Sequence, residues 1–316
     1  MLHKNKSNES FTAGGLLVAL GIIYGDIGTS PLYVFKAIIG ENPITEEFVY
    51  GGLSLIVWTL TMQTTIKYVT LTLRADNHGE GGIFSLFALI RRRLPWIFIP
   101  AMIGGAALLA DGIITPPFTV ASAVEGLRII YPDIPTVPIV IAILTVLFMF
   151  QRFGTNVVGK AFGPMMLIWF LMLGVLGMSQ LIYYPEIFKA LNPVYGYKLL
   201  TTSQNGFWVL GAVFLCTTGA EALYSDLGHC GRQNIRVSWS FVKLCLLLNY
   251  FGQGAWLLSN KGKILDSNPF YSIMPDWFLL TGIVVATAAA IIASQALITG
   301  SFTLISEAIR LNFGPR

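Results

Sequence analysis

Long apolar stretches separated by short polar loops restrict most strongly how this chain can fold. A helix needs about 20 apolar residues to cross a hydrocarbon core of about 30 Å. Eight stretches qualify, at about 13–39, 48–73, 97–126, 136–152, 161–184, 207–225, 238–259 and 277–300. Only 11% of the residues are charged and 54% are hydrophobic, whereas a water-facing surface usually requires about 25% charged residues. The sequence therefore predicts an all-α, polytopic membrane protein.

The rest of the composition argues against several other classes of protein. The three cysteines imply neither a disulfide framework nor a metal site. The basic excess, 20 Lys and Arg against 16 Asp and Glu, forms no patch for nucleic acid. The first apolar stretch is too long for a signal peptide and lacks a cleavage pattern, so we expect it to be retained. Because His3, His78 and His229 all lie outside the spans, we expect no intramembrane enzyme and no cofactor.

The distribution of basic residues predicts the orientation of the spans. With the N-terminus in the cytoplasm, thirteen basic residues lie inside and six outside, and Lys67 falls within a span. The inside set is Lys4, Lys6, Arg74, Arg91, Arg92, Arg93, Arg152, Lys160, Arg232, Arg236, Lys243, Arg310 and Arg316. The outside set is Lys36, Arg128, Lys189, Lys198, Lys261 and Lys263. This predicts a multi-pass protein of the cell inner (cytoplasmic) membrane with its N-terminus in the cytoplasm.

The first span contains a predicted break at residues 25–31, which include two glycines and a proline. Pro31 cannot donate to the carbonyl of Ile27, and Ser30 before Pro31 is typical of a helix start. Unpaired backbone at membrane depth is tolerated only where it lines a protein cavity. We expect two half-helices whose joint, with Asp26, forms an oxygen-lined niche for a cation.

The third and sixth spans carry acidic residues beside hydroxyl groups. Asp111, Thr115 and Thr119 are four residues apart and share one helical face, next to carbonyls released by the prolines at 116–117. Glu125 returns to nearly the same face near the span end. In the sixth span, helical spacing would place threonines 217 and 218 on the same face as Glu221, with a plausible break at residue 219.

Three spans therefore place carboxylates at membrane depth, at Asp26, Asp111 and Glu221. A charged side chain there costs at least about 2.5 kcal/mol and normally faces a partner or a wet cavity. No basic residue lies deep enough to neutralise all three, since Lys67 is near the end of its span. This excess negative charge indicates a mobile cation as the partner, with protons taking its place when it is absent.

Several segments carry a resemblance to a known family. They are YGDIGTSPLY at 24–33, ADNHGEGG at 75–82, ADGIITP at 110–116, GAEALYSDLGH at 219–229 and ASQALI at 293–298. They resemble the KUP-type (KUP/HAK/KT) potassium uptake permeases from about residue 14 to residue 316, and the decapeptide around Asp26 is highly specific. The resemblance implies proton-coupled potassium symport on the inverted-repeat (LeuT-like) fold of the amino acid–polyamine–organocation superfamily, with discontinuous helices 1 and 6.

The resemblance also implies roles for individual residues. The expected potassium-binding residues are Asp26, Tyr33, Asp111, Thr115, Thr119, Thr218 and Glu221. The candidates for proton coupling are Asp111, Glu221 and Glu125. The expected partners are the potassium ion, the proton and the lipid bilayer, with no nucleic acid, and a homodimer is left open.

The domain organisation follows from the same resemblance. Spans one to five, at about 13–184, would form the first repeat, and spans six to eight, at about 207–300, part of the second. We expect the family's remaining spans and its cytoplasmic C-terminal domain to be absent from these 316 residues. The loop at 75–82 is predicted to be a structured cytoplasmic turn at the inner gate, because no strand precedes it and no lysine follows at P-loop spacing.

Two classes of alternative remain. An amino-acid or polyamine permease could share the fold. Asp26 argues against an amino acid because it would repel a substrate carboxylate, and it argues less against a polyamine, which is cationic. A channel-like potassium uniport is the other alternative. The segment VYGY at 194–197 faintly resembles a selectivity filter, but it lies in a loop without the pore helix that a ring of carbonyls requires.

Overall fold

The computed structural model describes residues 12–77, 79–151, 159–203 and 206–310. Within these ranges the regular elements are helices, and pairing between extended segments is limited to an isolated bridge between Asn77 and Glu80. This confirms the all-α prediction. Some residues used in the predictions lie outside the described ranges: His3, Lys4, Lys6, His78, Arg152 and Arg316.

The first predicted span is interrupted twice. Its pieces are α1 (Ala13–Ile22), α2 (Gly25–Thr29), a 3₁₀ turn (Ser30–Leu32) and α3 (Val34–Ile39). The axis bends by 69° between Ala13–Ile22 and Gly25–Leu32. The discontinuity was therefore predicted correctly, but the main bend precedes Asp26 instead of following it.

Ser30 does not act as the predicted helix cap. Its hydroxyl donates instead to the carbonyl of Leu215, at 3.0 Å, and the turn that it begins has no side-chain cap. The sequence motif typical of a helix start is used here to bind a distant segment.

The second predicted span is one continuous helical segment of mixed type. It begins with α4 (Glu46–Thr59), continues as a π-helix (Leu60–Leu71) and ends in a 3₁₀ turn (Thr72–Arg74). Most π-helices are single-turn bulges, often at functional sites, so twelve residues is a long example. Threonine hydroxyls in it donate to carbonyls five residues back, as Thr70 does to Thr65 at 2.9 Å.

The middle of the chain contains long helices joined by short ones. They are α5 (Ile83–Ile90), a 3₁₀ turn (Pro95–Ile97), α6 (Phe98–Glu125), α7 (Leu127–Ile130), α8 (Thr136–Gln151), α9 (Gly159–Leu181), a 3₁₀ segment (Pro185–Leu191) and α10 (Pro193–Thr202). The prolines at 116 and 117 lie inside α6, which continues through them.

The sixth predicted span is also broken. Its parts are α11 (Gly206–Phe214), a 3₁₀ turn (Leu215–Thr217) and α12 (Ala222–Ser225). Between them Gly219 has a φ of +81°, in the left-handed region that favours glycine. The remaining helices are α13 (Leu227–Cys230), α14 (Arg232–Ser259), α15 (Pro269–Ser272) and α16 (Asp276–Arg310).

Among the described residues, five helical segments are long and apolar enough to cross a membrane, and the bent first span makes a sixth. These five are Phe98–Ile130, Ala161–Leu181, Gly206–Ser225, Arg232–Ser259 and Asp276–Arg310. The other two predicted spans coincide with the mixed helix from 46 to 74 and with the shorter helix α8.

Two helices extend beyond their predicted ends. α16 continues ten residues past 300, and α14 begins at Arg232 rather than 238 because Gly231, at a φ of +76°, ends the preceding turn. Lys243, which we assigned to the inside set, is therefore well within a helix. Its ammonium donates to the hydroxyls of Thr61 at 3.1 Å and Thr65 at 3.0 Å.

Small residues allow close packing between the long helices. A Cβ on Gly252 of α14 would lie 2.6 Å from the Cα of Gly177 in α9, which leaves no room for a side chain. Glycines at such crossings let helix backbones approach closely in lipid. Large buried side chains, including Trp169 and Tyr250, fill the space on either side.

Contacts between loops divide the helix ends into two sets. Two ion pairs lie at one end of the helices: Lys36 pairs with Glu125, and Lys261 pairs with Glu46 at 2.9 Å. We call this the Lys36 end. Arg232 pairs with Asp76 at 2.9 Å at what we call the Arg232 end. Residues predicted to lie on one side of the membrane thus contact each other, as the predicted alternation of spans requires.

Candidate cation-binding site

Asp26 is buried where the two broken spans meet. It lies in the first turn of α2, just after the 69° bend, and is 4% exposed. Neither oxygen of its carboxylate has a hydrogen-bond partner among the described residues. Buried polar groups are almost always hydrogen-bonded, so a carboxylate with both oxygens unpartnered marks a place where a ligand can bind.

The sixth span contacts Asp26 at Gly219. A Cβ on Gly219 would lie 2.7 Å from the Cβ of Asp26, 2.8 Å from its Oδ2 and 2.9 Å from the amide nitrogen of Ile27. The positive φ and this close approach both require glycine. The two breaks in the chain therefore form one centre.

In the second half of the first span, three backbone carbonyls accept hydrogen bonds from side chains outside that span. The three pairs are Trp169 Nε1 to Gly28 O at 2.9 Å, Gln253 Nε2 to Pro31 O at 2.9 Å and Asn268 Nδ2 to Leu32 O at 2.6 Å. Because each carbonyl accepts a hydrogen bond, these three do not line the predicted niche as free ligands. The unpartnered oxygens nearest the break belong to the Asp26 side chain.

The third span contributes a row of oxygens from α6. Thr115 donates its hydroxyl to Asp111 Oδ1 at 2.7 Å, as the four-residue spacing predicted. Asp111 Oδ2 and the Thr119 hydroxyl are buried without partners among the described residues. The carboxylates of Asp26 and Asp111 are close enough to interact electrostatically, so these free oxygens belong to the same centre.

Glu221 does not share a helical face with threonines 217 and 218, although its spacing predicted that it would. The chain is not helical from 218 to 221, and the Thr217 and Thr218 hydroxyls turn back to the carbonyls of Phe214 and Leu215, at 2.9 and 2.6 Å. The predicted shared face is therefore wrong. Glu221 instead directly follows the turn at Gly219, and its carboxylate lies within electrostatic range of Asp111 and Lys67.

Tyr33 and Thr218 complete the predicted set. The Tyr33 hydroxyl lies 3.4 Å from the Ser30 hydroxyl, close to the Thr218 hydroxyl and the Asp26 carboxylate. Its ring packs edge-on against Phe118 of α6, with centroids 4.8 Å apart. Of the predicted residues, Asp26, Tyr33, Thr218 and Glu221 lie at or near the two breaks, and Asp111, Thr115 and Thr119 lie on α6. The carboxylates of Asp26, Asp111 and Glu221 are within electrostatic range of one another.

Glu125 lies elsewhere, at the Lys36 end. It forms an ion pair with Lys36 of α3 and lies 3.5 Å from the amide nitrogen of Asn268. Asn268 also donates to the carbonyl of Leu32. Glu125 thus holds the end of α6 against the first span, apart from the other carboxylates.

The carboxylates do not form a compact cage. In the described ranges no three His, Cys, Asp or Glu side chains lie close enough together to hold a metal ion. The centre instead offers separated carboxylates joined by hydroxyl oxygens. Such an arrangement suits a weakly hydrated monovalent cation passing through better than a tightly held divalent one.

Sequence reasoning missed two polar residues of α14. Tyr250 and Gln253 are fully buried and face the first span, and each has an oxygen without a partner in the described structure. The sequence could have revealed this pair, because a tyrosine and a glutamine three residues apart in an apolar stretch share one helical face. Only the three acidic spans were considered as sources of ligands.

The loop at 75–82 closes the Arg232 end of the centre. The Tyr224 hydroxyl, just after α12 begins, donates to the carbonyl of Ala75 at 2.5 Å. Asp76 accepts from the amide of Gly79 at 3.0 Å and pairs with Arg232. In its described residues, the loop is an ordered turn fastened to the second half of the sixth span, as predicted.

The bent first span, the long apolar helices and the buried carboxylates together define a polytopic helical membrane protein. Residues 13–316 match the sequence model of the family described as the K+ potassium transporter integral membrane domain. The chain belongs to this family. No solved structure matches it.

Similar curated proteins carry the same description. A "Probable potassium transport system protein Kup" from Cytophaga hutchinsonii is 68% identical over 318 residues, covering 99% of this chain and 48% of that protein. A protein of that name from Flavobacterium psychrophilum is 65% identical over 316 residues, covering 98% and 48%. Another, from Clostridium perfringens, is 57% identical over 332 residues, covering 99% and 50%. The chain spans about half the length of these relatives.

Proposed function

We propose that this chain forms the cation-handling core of a potassium uptake system that couples potassium entry to protons. The observation that carries the proposal is Asp26, buried at the meeting of two broken helices with both carboxylate oxygens unpartnered. The family description and the names of the relatives specify potassium.

The binding step follows from the charge around the centre. Asp26, Asp111 and Glu221 interact with one another, and none forms an ion pair with a described basic side chain at 4.0 Å or less. An incoming cation stabilises the assembled carboxylates, and the hydroxyls of Tyr33, Thr115, Thr119 and Thr218 replace part of its hydration shell.

Proton coupling supplies driving force that the membrane potential alone does not. A potential of 100 mV is worth about 2.3 kcal/mol per charge, which supports about fifty-fold accumulation. Uptake from a dilute medium needs more, and a co-transported proton provides it. Asp111 and Glu221 are the proposed proton carriers because neither lies at the bend of the first span, so that a proton can be accepted there without dismantling the coordination shell at Asp26. Glu125 is a further candidate.

The inverted-repeat (LeuT-like) architecture is part of the proposal. It is supported by the two breaks, which fall in the first and sixth spans and meet at one centre. In this architecture spans six to ten repeat spans one to five in the opposite orientation. A homodimer remains a prediction.

The proposed topology places the Lys36 end outside and the N-terminus in the cytoplasm, in the inner membrane. Single cysteines at Glu41 and Lys261 should be labelled by an impermeant maleimide from outside, and one at Arg91 only after permeabilisation. The native cysteines Cys216 and Cys230 are buried. Labelling of Glu41→Cys and Lys261→Cys only from inside would invert the topology.

Uptake by the full-length gene product in proteoliposomes tests the function. Potassium and rubidium should accumulate in response to an inward proton gradient, and putrescine and amino acids should not. Accumulation of putrescine instead would favour the polyamine permease. Potassium flux that ignores the proton gradient would favour a channel-like uniport.

A further inference from the structure

A row of buried polar side chains in α14 lies where this helix packs against α9 and against the part of the first span between Asp26 and Lys36. Asn249, Tyr250 and Gln253 are each 0% exposed. Polar residues at membrane depth are costly and usually functional when they face the interior. None of the three belongs to the site described above.

The hydrogen bonds fix which way both amides point. Asn249 donates its amide nitrogen to the carbonyl of Leu173 at 3.1 Å, and Gln253 donates to the carbonyl of Pro31 at 2.9 Å. Because a carbonyl only accepts, both amides must present NH₂ groups to these oxygens. Gln253 also donates to Asn249 Oδ1 at 2.8 Å. The Oε1 atom of Gln253 is therefore the remaining acceptor.

Two buried oxygens are left over in this row. Gln253 Oε1 and the Tyr250 hydroxyl have no hydrogen-bond partner within the described ranges. On the first span, Gln253 bonds to Pro31 and the Tyr250 ring packs against Phe35, with centroids 6.2 Å apart, so Tyr33 lies between these two contacts along the chain. The Tyr33 hydroxyl lies 3.4 Å from that of Ser30. Tyr33 thus connects this row to the carboxylate centre. Leaving buried oxygens unpaired is unfavourable, so something polar is expected to fill the space between them.

We propose that Tyr33, Tyr250 and Gln253 form a second binding station for a dehydrated monovalent cation, between the carboxylate centre and the Lys36 end. The inference rests on the proposed function. Neutral oxygens match the hydration shell of potassium without holding it strongly, which lets an ion enter and then leave. A divalent cation would require carboxylate ligands. The neutral station therefore selects the ion, and the carboxylates retain it.

Equilibrium binding of rubidium to the purified full-length gene product tests the proposal. The unmodified protein should bind two ions at saturation. Tyr250→Phe, which removes only the unpartnered hydroxyl, should bind one ion, or two with the half-saturating concentration of the second raised about tenfold, a loss of about 1.4 kcal/mol. Its unfolding temperature without cations should be unchanged, because the hydroxyl makes no hydrogen bond.

Tyr24→Phe is the matched control. Tyr24 is equally buried, but its hydroxyl donates to the carbonyl of Ile235 at 2.7 Å, away from the row. This variant should lower the unfolding temperature and leave the number of bound ions unchanged.

Asp26→Asn separates the two proposals. If the unmodified protein binds no rubidium, the proposed function fails. If it binds a single ion that Asp26→Asn removes, or if Tyr250→Phe binds two ions with unchanged affinity, the carboxylate centre stands and the second station is wrong. In that case the row holds structural water only.

Discussion

Two kinds of intramembrane carboxylate occur in this chain, and they differ in their surroundings. Glu125 has a resident partner, the ammonium of Lys36, and a neighbouring amide at Asn268. Asp26 has neither, although it is more deeply buried. Both positions were predicted from the same reasoning about acidic residues in apolar stretches.

Under the proposed function, the missing partner, more than the carboxylate itself, distinguishes the residue that would bind a transported cation. A carboxylate with a fixed lysine joins two helices and is already neutralised. A buried carboxylate without one can be neutralised only by something that moves. The predictions below test this distinction, beginning with the largest expected effect.

Asp26→Asn should abolish cation binding at the carboxylate centre, because it removes the negative charge at the meeting of the two breaks. The measurement is potassium-induced thermal stabilisation of the purified protein, together with rubidium uptake. Glu186→Gln is the control, since Glu186 is exposed and pairs with Lys189 at 2.7 Å. Normal binding by Asp26→Asn would show that the site is not at this joint.

Asp111→Asn and Glu221→Gln should each abolish concentrative uptake, because each removes a proposed proton carrier. At least one of them should retain potassium binding, or an exchange that no longer depends on the proton gradient. Rubidium uptake and exchange at pH 5.5 and 7.5 distinguish these cases. Loss of binding in both variants would instead assign all three carboxylates to the ion.

Glu125→Gln should have a smaller effect than either, because its charge already has a partner. We expect potassium binding to persist and the free energy of unfolding to fall by about 0.5–1 kcal/mol, as for a partly exposed ion pair. The double variant Lys36→Met/Glu125→Gln should recover most of this loss. Chemical denaturation of the two single variants and the double variant measures the coupling. An uptake rate that loses all pH dependence in Glu125→Gln would make Glu125 a proton carrier after all.

The smallest effect concerns a titrating group outside the spans. The hydrogen bond and the charge of Asp226, with a contribution from Glu80, raise the pKa of His229 above its usual value. A raised pKa in the folded state means that protonation stabilises the fold below about pH 6.5, and this stabilisation is lost as the pH rises through the folded value. Asp226→Asn should lower the pKa of His229, measured by NMR titration, without altering potassium uptake.

The sequence predicted those features of the fold that depend on local pattern. Apolar length gave the spans, and the four-residue spacing gave the bond between Thr115 and Asp111. The glycines and the proline marked the first span as broken. Helical periodicity failed at Glu221, because it assumes a helix that Gly219 interrupts.

The remaining features depend on partners that are distant in sequence. Ser30 is typical of a helix start but binds Leu215, 185 residues away. Whether Glu125 is paired depends on Lys36, which lies 89 residues away. No local pattern distinguishes a paired carboxylate from an unpaired one, so the composition of the site could be proposed from the sequence but its division into paired and free groups could not.

The contact between Gly219 and Asp26 also constrains how the molecule can move. Because even a methyl group would not fit between them, the two broken spans cannot slide past one another at this point. They share a pivot, and rotation of one half-helix must displace the other. The turn at 75–82 is tied to the same part of the molecule, because the hydroxyl of Tyr224, five residues after Gly219, donates to the carbonyl of Ala75.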